Sequence, residues 1–201
     1  MKTKINTPNS QLMRLGDFLT FKTEYITIEN DVEYELVTVK LHGKGIIPRE
    51  TLYGSQIKTK KQQVIKHNQF LVAEIDAKVG AFGIVPRELE GAIVSGHYFL
   101  YDIDSNKVLP DFLACFVSSG ILTQEIQEFV QGSLNYAAIR PNNILDIELS
   151  IPNDKNEQKN IVNQLAEIRR MQRAAERQLE ATTALEKNLM RQIFKAKNHE
   201  E

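Results

Sequence analysis

Two short motifs contain the residue types with which a nuclease could bind a catalytic metal ion. They are Pro110-Asp111 and Glu157-Gln158-Lys159, which together supply the components of a PD-(D/E)xK core. Proline is favoured in the first turn of a helix, so Pro110-Asp111 instead predicts a helix start. Glu157 is better explained as part of a helix cap, and neither motif lies at the end of a predicted strand. The sequence therefore disfavours a nuclease site.

Other nucleophiles and metal ligands are also sparse. The four histidines lack the spacing of metal ligands: His42, His67, His97 and His199. Cys115 lies in the apolar run Phe112–Val117, which indicates a buried core thiol rather than a nucleophile. The paired prolines of a methyltransferase motif, a Gly-x-Ser-x-Gly sequence and a phosphate-binding loop are all absent. We therefore expect no catalytic activity, no metal and no cofactor.

The element that dominates the chain is a long C-terminal helix, predicted from Pro152 to Lys197. Asp154 can cap it, with Glu157 three residues later as the second half of a capping box. No Gly or Pro follows Pro152. At about 1.5 Å per residue the helix would be roughly 60 Å long, which exceeds what one globular domain of this size needs.

One narrow apolar seam runs along this helix. Apolar or small residues recur there at spacings of three and four: Ile161, Leu165, Ile168, Ala175, Leu179, Thr182, Leu185, Leu189 and Ile193. Gln172 is a polar exception, and the register shifts slightly between Thr182 and Leu189. A seam of this width is typical of a helix that packs against one other helix.

The preceding residues predict an α+β domain with a curved, mixed or antiparallel sheet and short helices. The predicted strands are Glu33–Lys40, Phe70–Ile75, Ala92–Ser95, Tyr98–Ile103 and Ile147–Ile151. The predicted short helices are Pro110–Ser118, ended by Gly120, and Gln124–Gln131, capped by Thr123 and ended by Gly132. Residues 1–11 are expected to be a loose polar tail. We place the domains at residues 1–152 and 153–201, the second being a long coiled-coil-type helix.

Charge is divided unevenly between these two parts. Residues 156–197 contain nine Lys and Arg against five Glu, whereas residues 1–155 carry a net charge of −3. The arginines of the helix, such as Arg169, Arg173 and Arg177, form either a solvated face or a surface for phosphates or an acidic partner. No apolar run approaches the length of a membrane span, and no signal peptide is evident. We therefore expect a soluble, cytoplasmic protein.

Several short pieces occur in an order that resembles a known family. They are Leu15-Gly16-Asp17, Ile57–Lys61, Gly132-Ser-x-Asn135, Ile139-Arg140-Pro141, and Pro152 followed by Glu157-Gln158-x-x-Ile161. This order is similar to one half of a specificity subunit of a type I restriction–modification system. The resemblance extends from Leu12 to Lys197, and its most specific part is the Pro-x-x-x-x-Glu-Gln-x-x-Ile start of the long helix. Family members usually carry two such units, and this chain carries one.

The resemblance implies a non-catalytic subunit that recognises double-stranded DNA and directs a methyltransferase. The expected partners are a modification subunit and, as a further candidate, a restriction subunit. Pairing of two chains through antiparallel C-terminal helices would rebuild the two-unit plan and read a palindromic split target. The alternative is a helical-arm assembly protein, or a degenerate half-subunit that binds the modification subunit without specific DNA recognition.

Seven residues in two regions are candidates for DNA contact. They are Lys58, Lys60, Lys61, Ser133, Asn135, Tyr136 and Arg140. Lysines suit contacts to phosphates, whereas Asn135 and Arg140 can hydrogen-bond to base edges in the major groove. The lysines could equally belong to a solvated strand or turn, residues 133–140 to a structural loop, and Tyr136 to the core. The residues expected to contact a partner helix are Ile161, Leu165, Ile168, Leu179, Leu185, Leu189 and Ile193.

Overall fold

A computed structural model describes residues 9–22, 24–132 and 140–197 of the chain. The chain divides into two compact units, Met1–Asn160 and Ile161–Glu201, which we call the body and the arm. This division falls six residues inside the long C-terminal helix, so the first turns of that helix belong to the body.

The described part of the body contains eleven strands, three complete helices and the start of a fourth helix. The strands are β1 (Ser10–Arg14), β2 (Leu19–Lys22), β3 (Tyr25–Thr27), β4 (Glu33–Val39), β5 (Ile46–Tyr53), β6 (Lys61–Val64), β7 (Phe70–Ala73), β8 (Phe82–Ile84), β9 (Ile93–Val94), β10 (Tyr98–Ile103) and β11 (Glu148–Pro152). The helices are α1 (Pro110–Ser119), α2 (Ile121–Gly132), α3 (Pro141–Leu145) and α4 (Lys155–Lys197). The predicted class, an α+β domain followed by a long helix, is confirmed.

The strands form three sheets. One has the order β3-β6-β9-β4-β5, the second β2-β10-β7-β8, and the third contains β1 and β11. All described pairs are antiparallel except β4 with β9, so the predicted mixed sheet is confirmed. The two larger sheets share one apolar core, to which Val37 and Val94 contribute from the first, and Leu71 and Leu100 from the second.

The five-stranded sheet is apolar on both faces. Val37 and Val39 of β4 pack into the shared core, whereas Tyr34 and Leu36 pack on the other face with Ile28 and its neighbours. A bulge at Arg49 of β5, which has no partner residue in β4, shifts the register between Leu36 and Val37. This second apolar cluster matters for the candidate site, because the segment that carries the predicted lysines covers it.

The start of α1 and the glycine that ends it are as predicted, but the predicted start of α2 is wrong. Pro110 lies in the first turn of α1, and Gly120 ends the helix in the left-handed conformation with φ of 80°. Cys115 is buried, as predicted. Thr123 is not a cap, because α2 already begins at Ile121 and the Thr123 hydroxyl is buried without a hydrogen-bond partner among the described residues. The capping signal failed because the helix starts directly after the glycine.

The predicted loose tail is wrong from Ser10 onward. β1 begins there and pairs with β11 in antiparallel register, with Ser10 opposite Pro152 and Arg14 opposite Glu148. The Ser150 hydroxyl donates a hydrogen bond of 2.8 Å to the Ser10 hydroxyl. A short polar strand of this kind has no local signature, because its partner lies about 140 residues away in sequence. β2, β3, β5, β6 and α3 were also not predicted.

The long helix is confirmed. α4 contains 43 residues, which corresponds to a length of about 64 Å. Asp154 caps it as predicted, since its carboxylate accepts a hydrogen bond of 2.8 Å from the Asn156 N–H. Within the described residues, no helix is both long and apolar enough to span a bilayer.

Candidate nucleic-acid interface and helical arm

Two turns meet at the end of the five-stranded sheet where Glu33 pairs with Tyr53. The Gly54 N–H donates to the Val32 carbonyl at 2.8 Å, and the Ser55 N–H donates to the Asn30 carbonyl at 3.0 Å. A Cβ at Gly54 would lie 2.0 Å from the Glu29 carbonyl oxygen, so only glycine permits this approach. The turns at 29–32 and 54–56 are therefore held together by backbone hydrogen bonds.

Lys60 adds a side-chain link between the same two turns. Its ammonium donates to the Asn30 side-chain oxygen at 2.9 Å and also to the Gly54 carbonyl. The Lys60 carbonyl accepts a hydrogen bond of 3.0 Å from the Ile28 N–H. The half-buried Lys60 side chain thus has a structural role that the sequence did not indicate.

Lys58 and Lys61 are exposed on either side of Lys60. The Lys61 ammonium lies 4.2 Å from the centroid of the Tyr25 ring, a cation–π contact. Neither lysine forms a salt bridge with a carboxylate in the described part of the chain. Several other lysines are paired with carboxylates. An example is Lys66, whose pKa is raised by its hydrogen bond to Glu24. Lys58 and Lys61 therefore offer positive charge that is not paired with any carboxylate of the described residues.

Exposed aromatic rings accompany these lysines. Tyr25 is 41% exposed and Tyr53 is 49% exposed. The sequence did not indicate either tyrosine or Asn30. These residues are brought near the lysines by contacts between distant segments, such as the pairing of Tyr25 with Gln63. The available signal was compositional, since lysines interleaved with exposed aromatics are typical of nucleic-acid surfaces. We call Tyr25, Tyr53, Lys58 and Lys61 the basic-aromatic surface.

The second predicted region is described only at its end. Arg140 is exposed and precedes α3, where its N–H donates to the Asn143 side-chain oxygen at 3.0 Å. The Tyr101 hydroxyl donates to the Pro141 carbonyl at 3.0 Å and fixes this turn, and burial raises the pKa of Tyr101. The remaining candidates, Ser133, Asn135 and Tyr136, lie outside the described residues. DNA contact by any of the seven residues remains a prediction.

The two motifs that could supply metal ligands lie at the starts of two different helices. No group of three or more His, Cys, Asp and Glu side chains there could hold a metal ion. Asp111 lies in the first turn of α1 and Glu157 in the first turn of α4. The motifs that could have formed a nuclease core are thus helix starts, as predicted.

The first turn of α4 is anchored in the body by Gln158. Its side chain is fully buried. The side-chain oxygen accepts a hydrogen bond of 2.9 Å from the Leu109 N–H, and the side-chain nitrogen donates to the carbonyls of Lys107 and Pro152 at 3.1 and 3.0 Å. Gln158 therefore joins the segment before α1 to the end of β11.

The predicted seam of the arm is unoccupied in the single chain. Ile161 and Leu165 are half-buried, whereas every described residue from 166 to 194 is exposed. Leu179 and Leu185 are 69% and 70% exposed. The other large apolar side chains exposed along the arm are Ile168, Met171, Leu189, Met190, Ile193 and Phe194. An apolar stripe of this length is typical of an interface.

Residues 9–184 match the family described as the type I restriction modification DNA specificity domain. The chain belongs to this family. The match includes the body and most of the arm, which confirms the family resemblance found in the sequence. A comparison with curated proteins found no match.

Solved structures show the same fold as this member of the specificity-domain family. The HsdS subunit from Thermoanaerobacter tengcongensis matches with a TM-score of 0.71 and 18% identity, covering 88% of this chain and 47% of that subunit. A chain from a structure concerning complex assembly and conformational transition of the type I R-M system matches with a TM-score of 0.70 and 18% identity, over 87% of this chain and 46% of that one. The S subunit from M. genitalium gives 0.52 and 11% identity, over 79% and 39%. This chain thus spans about half the length of these structures.

Proposed function

We propose that this chain is a DNA-specificity subunit of a type I restriction–modification system. In this role it binds one half of a split DNA target, has no catalytic activity, and directs a methyltransferase subunit in the cytoplasm. The family match over residues 9–184 is the observation that carries this proposal. A restriction subunit is a further candidate partner.

The body is the proposed DNA-binding part. The basic-aromatic surface supports this assignment, because unpaired lysines suit phosphates and exposed tyrosines suit the sugar or a groove edge. Arg140 and the neighbouring residues Asn135 and Tyr136 form the proposed base-reading region. Ser133 belongs to the same region. In this proposal Lys60 acts indirectly, since it holds the turn at 54–56, which Tyr53 precedes and Lys58 follows.

Methylation assays with and without a modification subunit test the function. The purified chain alone is expected to transfer no methyl group and to cut no DNA, whereas the complex should methylate a specific target. Replacing this chain by its arm alone (residues 161–201) should abolish target choice while any partner binding persists. Salt-dependent DNA binding that is indifferent to sequence, in the complex as in the free chain, would favour the assembly-protein alternative.

Changing Lys58 and Lys61 together to alanine should weaken binding to all DNA sequences alike. Each lysine that leaves a phosphate lowers the number of released counterions, so the slope of log K against log salt should flatten by roughly one to two units. Fluorescence anisotropy over a salt series measures both quantities. Equal affinity and slope for the variant and the unmodified protein would place the phosphate contacts elsewhere.

Two variants serve as matched comparisons for this test. Lys60→Ala removes one positive charge instead of two, and it also breaks the link to Asn30. It should therefore lower the midpoint of thermal unfolding, which the Lys58 and Lys61 changes should leave nearly unaltered. Arg140→Ala should instead change the preference between targets, by about 1–3 kcal/mol for a direct base contact. A uniform loss at all targets would make Arg140 a phosphate contact.

We propose further that two copies associate through the arm and read a palindromic split target. The exposed seam supports this, because a helix with Leu179 and Leu185 in solvent leaves much apolar area available for a partner. Twofold pairing places identical bodies on identical half-sites. The alternative occupant of the seam is the modification subunit.

A further inference from the structure

His97 lies in a tight turn that is joined to the basic-aromatic surface. The turn connects β9 to β10, and the Tyr98 N–H closes it by donating to the Ser95 carbonyl at 3.3 Å. The buried side-chain amide of Gln63 donates to the carbonyls of Ser95 and Tyr98 at 3.1 and 2.9 Å. Gln63 belongs to β6, the strand that begins at Lys61. One strand therefore carries a residue of the basic-aromatic surface and also fixes both ends of the turn.

The same turn approaches the exposed ring of Tyr25. A Cβ at Gly96 would lie 3.4 Å from the Tyr25 hydroxyl, so this hydroxyl lies beside the residue that precedes His97. The other side of the contact is Lys61, whose ammonium lies against the Tyr25 ring. His97 therefore lies next to the basic-aromatic surface, and its side chain is 74% exposed.

The carboxylate of Glu74 orients the His97 ring. The Glu74 Oε2 atom lies 3.1 Å from His97 Nδ1, and the Glu74 N–H donates to the His97 carbonyl at 2.9 Å. Because an ionised carboxylate can only accept hydrogen bonds, Nδ1 carries the proton in the neutral ring. The other ring nitrogen, Nε2, is then an acceptor, and it has no hydrogen bond to any residue that the structure describes.

We propose that His97 hydrogen-bonds through Nε2 to a base edge in the major groove, and that Glu74 is the positioning residue that sets its tautomer. An acceptor nitrogen cannot hydrogen-bond to a phosphate oxygen, which is also an acceptor. Its partners are the exocyclic amino groups of adenine and cytosine, which are the donors in the major groove. This inference rests on the DNA binding proposed for the body, and adds a contact residue and the chemical group that it recognises.

Two effects of Glu74 on DNA binding have opposite signs. Its negative charge repels phosphates and so weakens binding to any sequence. Its hydrogen bond to His97 orders an exposed ring before DNA binds, and ordering such a side chain during binding instead would cost roughly 2- to 12-fold in affinity. The positioning role can therefore be separated from the effect of the charge.

DNA binding by the complex with the modification subunit tests the role of His97. The two probes are the target that the complex methylates and an unrelated duplex. His97→Asn keeps an amide donor near the position of Nδ1 but has no group at Nε2. It should lower affinity for the target by roughly 10-fold and change affinity for the unrelated duplex by less than about 2-fold. His97→Gln, whose longer side chain brings an amide near the position of Nε2, should recover part of the loss.

His42→Asn is the matched control. His42 is also exposed, and its φ of 60° is a conformation that asparagine tolerates. It lies in the turn between β4 and β5, where its N–H donates to the Val79 carbonyl. The substitution removes an exposed imidazole away from the basic-aromatic surface, so it should leave the affinity for both duplexes unchanged.

A double-mutant cycle between protein and DNA identifies the base group. Adenines and cytosines of the target are replaced one at a time by analogues that lack the exocyclic amino group. At one position the replacement should cost the unmodified complex roughly 10-fold in affinity, but cost the His97→Asn complex less than about 2-fold.

Two variants of Glu74 separate orientation from charge. Glu74→Ala and Glu74→Gln both remove the carboxylate charge, but only glutamine keeps an oxygen that can accept from Nδ1. Glu74→Ala should lower affinity for the target by roughly 2- to 12-fold, whereas Glu74→Gln should not lower it. Both should bind the unrelated duplex at least as tightly as the unmodified protein. In the His97→Asn background, Glu74→Ala should cause no further loss of target preference.

Other outcomes overturn the inference. Equal losses on the target and on the unrelated duplex for His97→Asn would exclude a base contact, and so would additive effects at every replaced base. Equal target affinities for the two Glu74 variants would exclude the positioning role. Specific methylation with unchanged target affinity in the His97 variants would contradict this inference alone. A complex with no specific target would contradict the proposed function itself.

Discussion

The double substitution Leu179→Glu, Leu185→Glu is expected to convert a dimer of this chain into monomers. Burial of one leucine contributes about 1.5–3 kcal/mol, and a twofold interface loses four leucines at once. The loss of at least about 6 kcal/mol corresponds to a weakening of association of more than 10⁴-fold. Sedimentation at micromolar concentration should therefore give a dimeric mass for the unmodified chain and a monomeric mass for the variant.

The matched control adds the same charge on the opposite side of the helix. Ala166 and Ala184 are exposed on the face of the arm opposite the seam, so Ala166→Glu, Ala184→Glu should remain dimeric. Both double variants should keep the helical content of the unmodified chain, because Leu179 and Leu185 are already exposed in the single chain. A monomeric mass for the unmodified chain would contradict self-association and favour the modification subunit as the partner of the seam.

Gln158→Ala is expected to destabilise the body by roughly 3 kcal/mol. The substitution leaves the buried Leu109 N–H without an acceptor and removes the donor to the carbonyls of Lys107 and Pro152. A buried polar group that loses its partner costs about 1–3 kcal/mol. For a chain of this size, the midpoint of thermal unfolding should fall by roughly 6–12 °C.

Gln164→Ala is the appropriate control for the anchor, because Gln164 is an exposed glutamine on the same helix. It should change the midpoint by no more than about 1 °C, as surface substitutions usually do. Tyrosine fluorescence reports on the body in both variants, since all six tyrosines precede residue 155. Equal midpoints for the two variants would mean that the hydrogen bonds of Gln158 do not stabilise the body.

Local patterns in the sequence predicted the elements that depend on local physics. The long helix, its Asp154 cap and the Gly120 stop of α1 follow from periodicity and capping, and all three are present. β1 could not be predicted in this way, because its stability comes from pairing with β11 at the other end of the body. Thr123 shows the converse, since a good capping residue lies inside a helix that began earlier.

For the basic-aromatic surface, the sequence predicted only the lysine-rich segment Ile57–Lys61. The lysines were selected by composition, and their different surroundings depend on contacts across the chain. Asn30 lies thirty residues from Lys60 and binds its ammonium, and Tyr25 lies under Lys61 because β3 pairs with β6. Sequence patterns carry no record of such contacts, so the distinction between a free and an engaged lysine required the fold.

The pairing of β1 with β11 brings the first and last strands of the body together. The chain therefore enters and leaves the body at adjacent positions. Ser10 lies opposite Pro152, and the Asn153 N–H donates a hydrogen bond of 3.1 Å to the Asn9 carbonyl. Paired strands bring their backbones to within about 5 Å, so everything between these residues forms a loop closed at its base. A different body whose first and last strands pair in the same way could replace this one by one recombination event, and the helix would be unchanged. Under the proposed function, such an exchange would replace the DNA-binding body as one unit and would retain the helix proposed to bind the partners.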